Sequence, residues 1–91
     1  MGLKQTTQCL GYEQITSVSS AKGLTVPQGA TFIRLVCTTQ AIRWRDDGTA
    51  PTATVGMPLA VDTELQYDGD LQNIQFIEQT AGTVINVSYY N

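Results

Sequence analysis

The sequence contains no histidine. That removes the commonest general base at neutral pH, the Ser-His-Asp and Cys-His nucleophilic arrangements, and the commonest transition-metal ligand. Charge is scarce as well: 14% of residues are Asp, Glu, Lys or Arg, against a usual ~25%. Only five are basic, and they are scattered. Nucleic-acid binding needs Lys and Arg dense enough to displace counterions from phosphates, so nucleic acid is not an expected partner. No apolar run approaches the ~18 residues of a membrane span, and no membrane partner is expected. The opening residues, Met1-Gly2-Leu3-Lys4-Gln5-Thr6-Thr7, lack the apolar stretch of a secretory signal, which points to synthesis in a cytoplasm. Lys4 and Lys22 have none of the apolar context that depresses a lysine pKa and are expected at the surface. Helix formers never cluster over a window long enough for an amphipathic helix.

Short runs of β-branched and aromatic residues are present instead, separated by Gly, Pro, Asp and Asn. Strands are expected at 8–14, 24–26, 30–39, 41–45, 63–67, 72–79 and 83–90, with 15–20 either a further strand or a loop. Val26-Pro27-Gln28-Gly29, Asp46-Asp47-Gly48 and Asp68-Gly69-Asp70 are turn signals, and Ala81-Gly82 predicts a hairpin joining the last two strands. The fold class is therefore all-β: a small antiparallel β-sandwich, jelly-roll-like or immunoglobulin-like, of about seven strands. The 91 residues make one domain, 1–91, with 1–7 expected as a flexible N-terminal arm. A core this small hides only roughly 60–65% of the unfolded surface, so partner subunits would add useful burial.

Alternation assigns faces. Ile42 and Trp44 oppose Arg43 and Arg45; Ile74 and Phe76 oppose Gln75; Ile85, Val87 and Tyr89 oppose Asn86 and Ser88. These three strands read as one antiparallel sheet packed on one side, with Ile33, Leu35 and Cys37 as the facing layer and Phe32 and Val36 pointing away. A final strand at a sheet edge would offer backbone groups to a neighbour. Tyr89 and Tyr90 point to opposite faces, which places one of them at the surface. Cys9 and Cys37 permit one disulfide; two buried free thiols is the expectation for a cytoplasmic protein.

The acidic residues pair as Asp46 with Asp47, Asp62 with Glu64, and Asp68 with Asp70. A calcium site would need more converging oxygens than these supply, and Asp in turns bonds its own backbone. No catalytic, cofactor or metal residue is assigned, and no cofactor is expected. Arg43, Arg45, Asp46, Asp47 and Tyr90, with the 46–51 loop, are the candidates for contact with another protein, Arg being suited to bidentate carboxylate pairing. The other functional class, a carbohydrate- or receptor-binding module, would need exposed aromatics, for which Trp44, Tyr12 and Tyr67 are the candidates.

The chain resembles small tailed-bacteriophage virion proteins in Ala21-Lys22-Gly23-Leu24-Thr25-Val26-Pro27, in Ala41-Ile42-Arg43-Trp44-Arg45-Asp46-Asp47-Gly48-Thr49-Ala50-Pro51-Thr52, in Gly56-Met57-Pro58-Leu59, in the 65–69 segment, in Ile74-Gln75-Phe76-Ile77 and in Asn86-Val87-Ser88-Tyr89-Tyr90. The similarity runs from about residue 20 to the end and rests on structural positions rather than a reactive signature. It implies a β-sandwich virion subunit, a homodimer or homotrimer that decorates or cements the head by contact with the major capsid protein or another virion protein. Proteins of this kind are also implied at the neck or tail, and the alternative function is a carbohydrate- or receptor-binding module of a phage tail or fibre.

Overall fold

The structure, a computed structural model, describes residues 8–91. Seven strands form: β1 (Cys9–Ile15), β2 (Phe32–Thr38), β3 (Ile42–Arg45), β4 (Met57–Leu59), β5 (Glu64–Tyr67), β6 (Gln75–Glu78) and β7 (Val84–Tyr90). They make two antiparallel sheets, one in the order β1-β7-β2-β5 and one in the order β4-β3-β6. Ile33, Leu35 and Cys37 of β2 and Ile85, Val87 and Tyr89 of β7 share one core with Ile42, Phe76 and Leu59 of the second sheet. The fold is thus the expected small antiparallel sandwich. The proposed 1–7 arm and Lys4 lie outside the described residues; Lys22 is exposed.

The alternation of apolar residues predicts which side of each strand is buried, and those sides are as expected; it does not predict which strands are neighbours. The last two strands do not form a hairpin. β6 pairs with β3, whereas β7 pairs with β1 and β2, so the 79–83 link crosses between sheets. Gly82 (φ +106°) makes the crossing, and its N–H donates to Glu78 Oε1 at 3.2 Å. Setting Phe76 and Val87 in opposite sheets covers both apolar faces, which side-by-side pairing would leave open. Likewise β2 is a neighbour of β7, with Leu35 opposite Val87, rather than a layer facing it. β7 lies inside its sheet, between β1 and β2, and offers no free edge.

Two segments exchange roles. Residues 24–26 make no strand, because Pro27 and Gly23 leave too short a run; Leu24 and Val26 pack on the core from a loop. Upstream of them Lys22 pairs with Phe76 through two backbone bonds of 2.9 and 2.8 Å, and Val18 O accepts Glu78 N at 3.1 Å, so 16–20 is a loop lying along β6. Conversely, β4 forms across Pro58, which is tolerated because β4 is an edge strand. Both cysteines are free, but only Cys37 is buried; Cys9 is exposed where the β1–β7 register slips between Cys9 and Gly11.

Candidate functional site

The residues that follow β3 build one end of the sandwich. At the turn, Gly48 adopts φ +87° and Asp47 Oδ1 accepts Thr49 N at 3.2 Å, the backbone-bonding role that short acidic side chains play in turns. Arg45 grips the same carboxylate with two donors, Nε to Oδ1 at 3.1 Å and a terminal nitrogen to Oδ2 at 2.5 Å. This bidentate bond, followed by the Thr49 amide, holds the Asp47 carboxyl below its usual range.

Asp46 faces elsewhere. Its Oδ2 accepts the Tyr67 hydroxyl at 2.6 Å and its carbonyl accepts Asn73 Nδ2 at 3.3 Å, tying the turn to β5 and to the loop before β6. The Tyr67 oxygen in turn accepts Asp70 N at 3.0 Å, and a Cβ at Gly69 would collide with the Tyr67 ring. Burial first, then the Asp46 carboxylate, pushes the Tyr67 hydroxyl up to about 12. Tyr67 also packs edge-on against Trp44, with centroids 5.8 Å apart at 63°. Both rings are half-buried, so this pair links the sheets rather than offering a stacking platform.

Arg43 is consumed internally. Its Nε donates to Ala53 O at 3.2 Å and Nη1 to Gly56 O at 2.9 Å, so it clamps the 51–56 loop instead of projecting to a partner. The loop is braced further by Thr52, whose Oγ1 accepts Thr54 N and Val55 N at 3.3 and 3.0 Å, and by buried Pro51. Gly56 closes it at φ +144°, where a Cβ would stand 3.1 Å from Trp44 O and 3.2 Å from both Arg43 Cβ and Pro51 Cβ. Gly56→Ala is therefore expected to cost ~1–3 kcal/mol in urea unfolding, since an L side chain meets both a strained φ and a filled space.

This bracing leaves two apolar side chains in water: Val55 is 51% and Met57 56% exposed. With Gly56, Arg45, Asp46 and Asp47 they line an open depression of about 390 Å³. The structure thus brings Arg45, Asp46 and Asp47 together, turns Arg43 to support, and separates Tyr90, which lies on the outer face of the other sheet with its ring 5.7 Å from Phe32. Sequence reasoning passed over Val55 and Met57. Met57 entered only as part of the Gly56-Met57-Pro58-Leu59 segment of the resemblance, and the local signal at both positions is no more than two large apolar residues around a glycine.

Glu64 and Asp70 serve the strands and turns around them. Glu64 accepts Arg34 Nε at 2.7 Å and Gln66 Nε2 at 2.8 Å, and Asp70 Oδ1 accepts Gln72 N at 3.1 Å. Among the described residues, no three His, Cys, Asp or Glu side chains converge on one point. Of the aromatic candidates, Tyr12 alone stands well out, 60% exposed, its hydroxyl donating to Asn86 Oδ1 at 2.6 Å. Searched against protein families, curated proteins and solved structures, the chain matches none.

Proposed function

We propose that this chain is a non-enzymatic structural subunit of a tailed-phage particle, a decoration or cement protein that binds the head shell through the depression beside the 46–51 loop. The resemblance noted in the sequence supplies the setting. The observation that carries the contact role is the exposed Val55–Met57 pair, held on a loop whose backbone is already fixed by Arg43 and Thr52 and rimmed by the Arg45–Asp47 pair. Exposed apolar side chains with a polar rim are the anatomy of a protein contact. A loop ordered before binding loses little further entropy when it docks. Such a subunit stabilises a shell by binding the assembled lattice better than its free components.

The test is addition of the purified protein to shells lacking it, with bound protein and shell melting temperature as readouts. Val55→Asp and Met57→Asp are each expected to weaken binding by roughly tenfold or more, the effect of losing an anchor worth ~1.4 kcal/mol or above. Gln66→Ala, on the other sheet, is expected to change nothing. Unaltered binding by both Asp variants would refute the site. Retention on immobilised glycans with binding to shells absent would instead support the tail-module reading, whose one exposed ring is Tyr12.

A further inference from the structure

Four strands end the two sheets, and three of their outer edges are blocked or blunted. β6 is closed by the backbone bonds to Lys22 and Val18. β4 has three residues with Pro58 at its centre. β5 has four, and carries Glu64 bound to Arg34. Short length, Pro and charge are the devices that keep an edge from pairing with another chain.

β1 is different. It has seven residues with no Pro, Lys or Arg. It pairs with β7 on one side, and among the described residues no backbone hydrogen bond reaches its other side. Its one charge, Glu13, lies on the inner face. There the carboxylate accepts the Tyr89 hydroxyl and, at 2.9 Å, Thr25 N, so it does not need water at the edge. The register slip is confined to Cys9–Gly11 and leaves the rest of the strand regular.

We infer that β1 pairs antiparallel with β1 of a second copy of this chain, about a two-fold axis at Tyr12, joining both four-stranded sheets into one. In this register the two Tyr12 rings lie opposite each other and Gly11 faces Glu13 of the second copy, both within the regular part of the strand. No like charges meet, and the most exposed aromatic of the molecule is covered by its own equivalent. Moving the axis one residue, to Glu13, would set two carboxylates opposite each other, which is unfavourable. The contact is isologous and closes as a dimer, with backbone bonds supplying affinity and the side-chain pairing supplying register. It lies on the opposite sheet from the shell contact and stands or falls separately from it.

The decisive experiment uses the full chain with Cys9→Ser and Tyr12→Cys. Opposed residues of an antiparallel pair lie ~4.5–5.5 Å apart at Cα, within the ~4.4–6.8 Å that a disulfide spans. Mild oxidation is expected to give a covalent dimer, and Cys9→Ser with Gln66→Cys, on the β5 edge, is expected to give none. Tyr12→Lys, which opposes like charges at an exposed position, is expected to turn the wild-type dimer into a monomer in sedimentation, with an unchanged circular-dichroism spectrum. Val55→Asp is expected to leave the dimer intact. A wild-type monomer at every concentration, a trimer, a dimer that survives Tyr12→Lys, or cross-linking through residue 66 would each overturn the pairing.

Discussion

Phe76→Ala is expected to remove ~3–5 kcal/mol of stability, a large fraction of what a domain of this size possesses. A chain of this length holds roughly 5–14 kcal/mol in total, and emptying a buried aromatic site costs the lost transfer energy plus the cavity left behind. Phe76 is fully buried, lies opposite Trp44 in β3, and is bonded through both backbone groups to Lys22 on its other side. Collapse to fill the space is therefore restricted on both flanks. Urea unfolding should show a lower midpoint at an unchanged slope, the mark of altered stability without altered exposed surface. Ile77→Ala, one residue along and half-buried on the outer face, is the control and is expected to cost about 1 kcal/mol or less.

At high pH, stability should fall as pH rises from about 10 through 12 and beyond. Two tyrosines are responsible. Tyr67 is pushed up to about 12 by burial and then by its bond to Asp46. Tyr89 is pushed higher still, again by burial first and then by its bond to the Glu13 carboxylate. In the unfolded chain both return to about 10. Between those values the unfolded chain has lost protons that the folded chain retains, so the free energy of unfolding decreases with rising pH. The contribution is complete below about pH 10 and is lost as pH climbs through the folded values. Absorbance at the tyrosinate band should show two tyrosines ionising only together with loss of near-ultraviolet circular dichroism. Tyr89→Phe should flatten the alkaline decline while lowering stability at neutral pH, because Glu13 and the core lose a partly buried hydrogen bond worth ~1–2 kcal/mol.

Tyr89 also illustrates how far the residues could be read in advance. Its inward direction follows from strict alternation along β7, and so does the outward direction of Tyr90. Its partner, Glu13, is 76 positions away and is met only because β1 and β7 are adjacent. No local pattern marks Glu13 as anything but a surface carboxylate. The same holds at the proposed contact site. That Arg43 and Arg45 share a face was plain from the sequence; that Arg43 is spent on the carbonyls of Ala53 and Gly56 while Arg45 holds Asp47 was not. The difference arises from the path of the 51–56 loop, which Gly56 and buried Pro51 set together.

What the sequence determined alone is what depends on neighbours along the chain. This covers the all-β class, the buried side of β2, β3, β6 and β7, and the turns at Gly29, Gly48 and Gly82, because pleating and backbone sterics act within a few residues. Tertiary structure decided the rest: that β7 sits inside its sheet while β1 lies at the edge, that Pro58 could occupy a strand, that Cys9 is exposed, and that Val55 and Met57 stand beside Arg45 and Asp47. Each of these follows from which strand lies next to which. That choice is made by the total apolar area two sheets can bury against each other, a quantity belonging to the whole core and to no short segment of it.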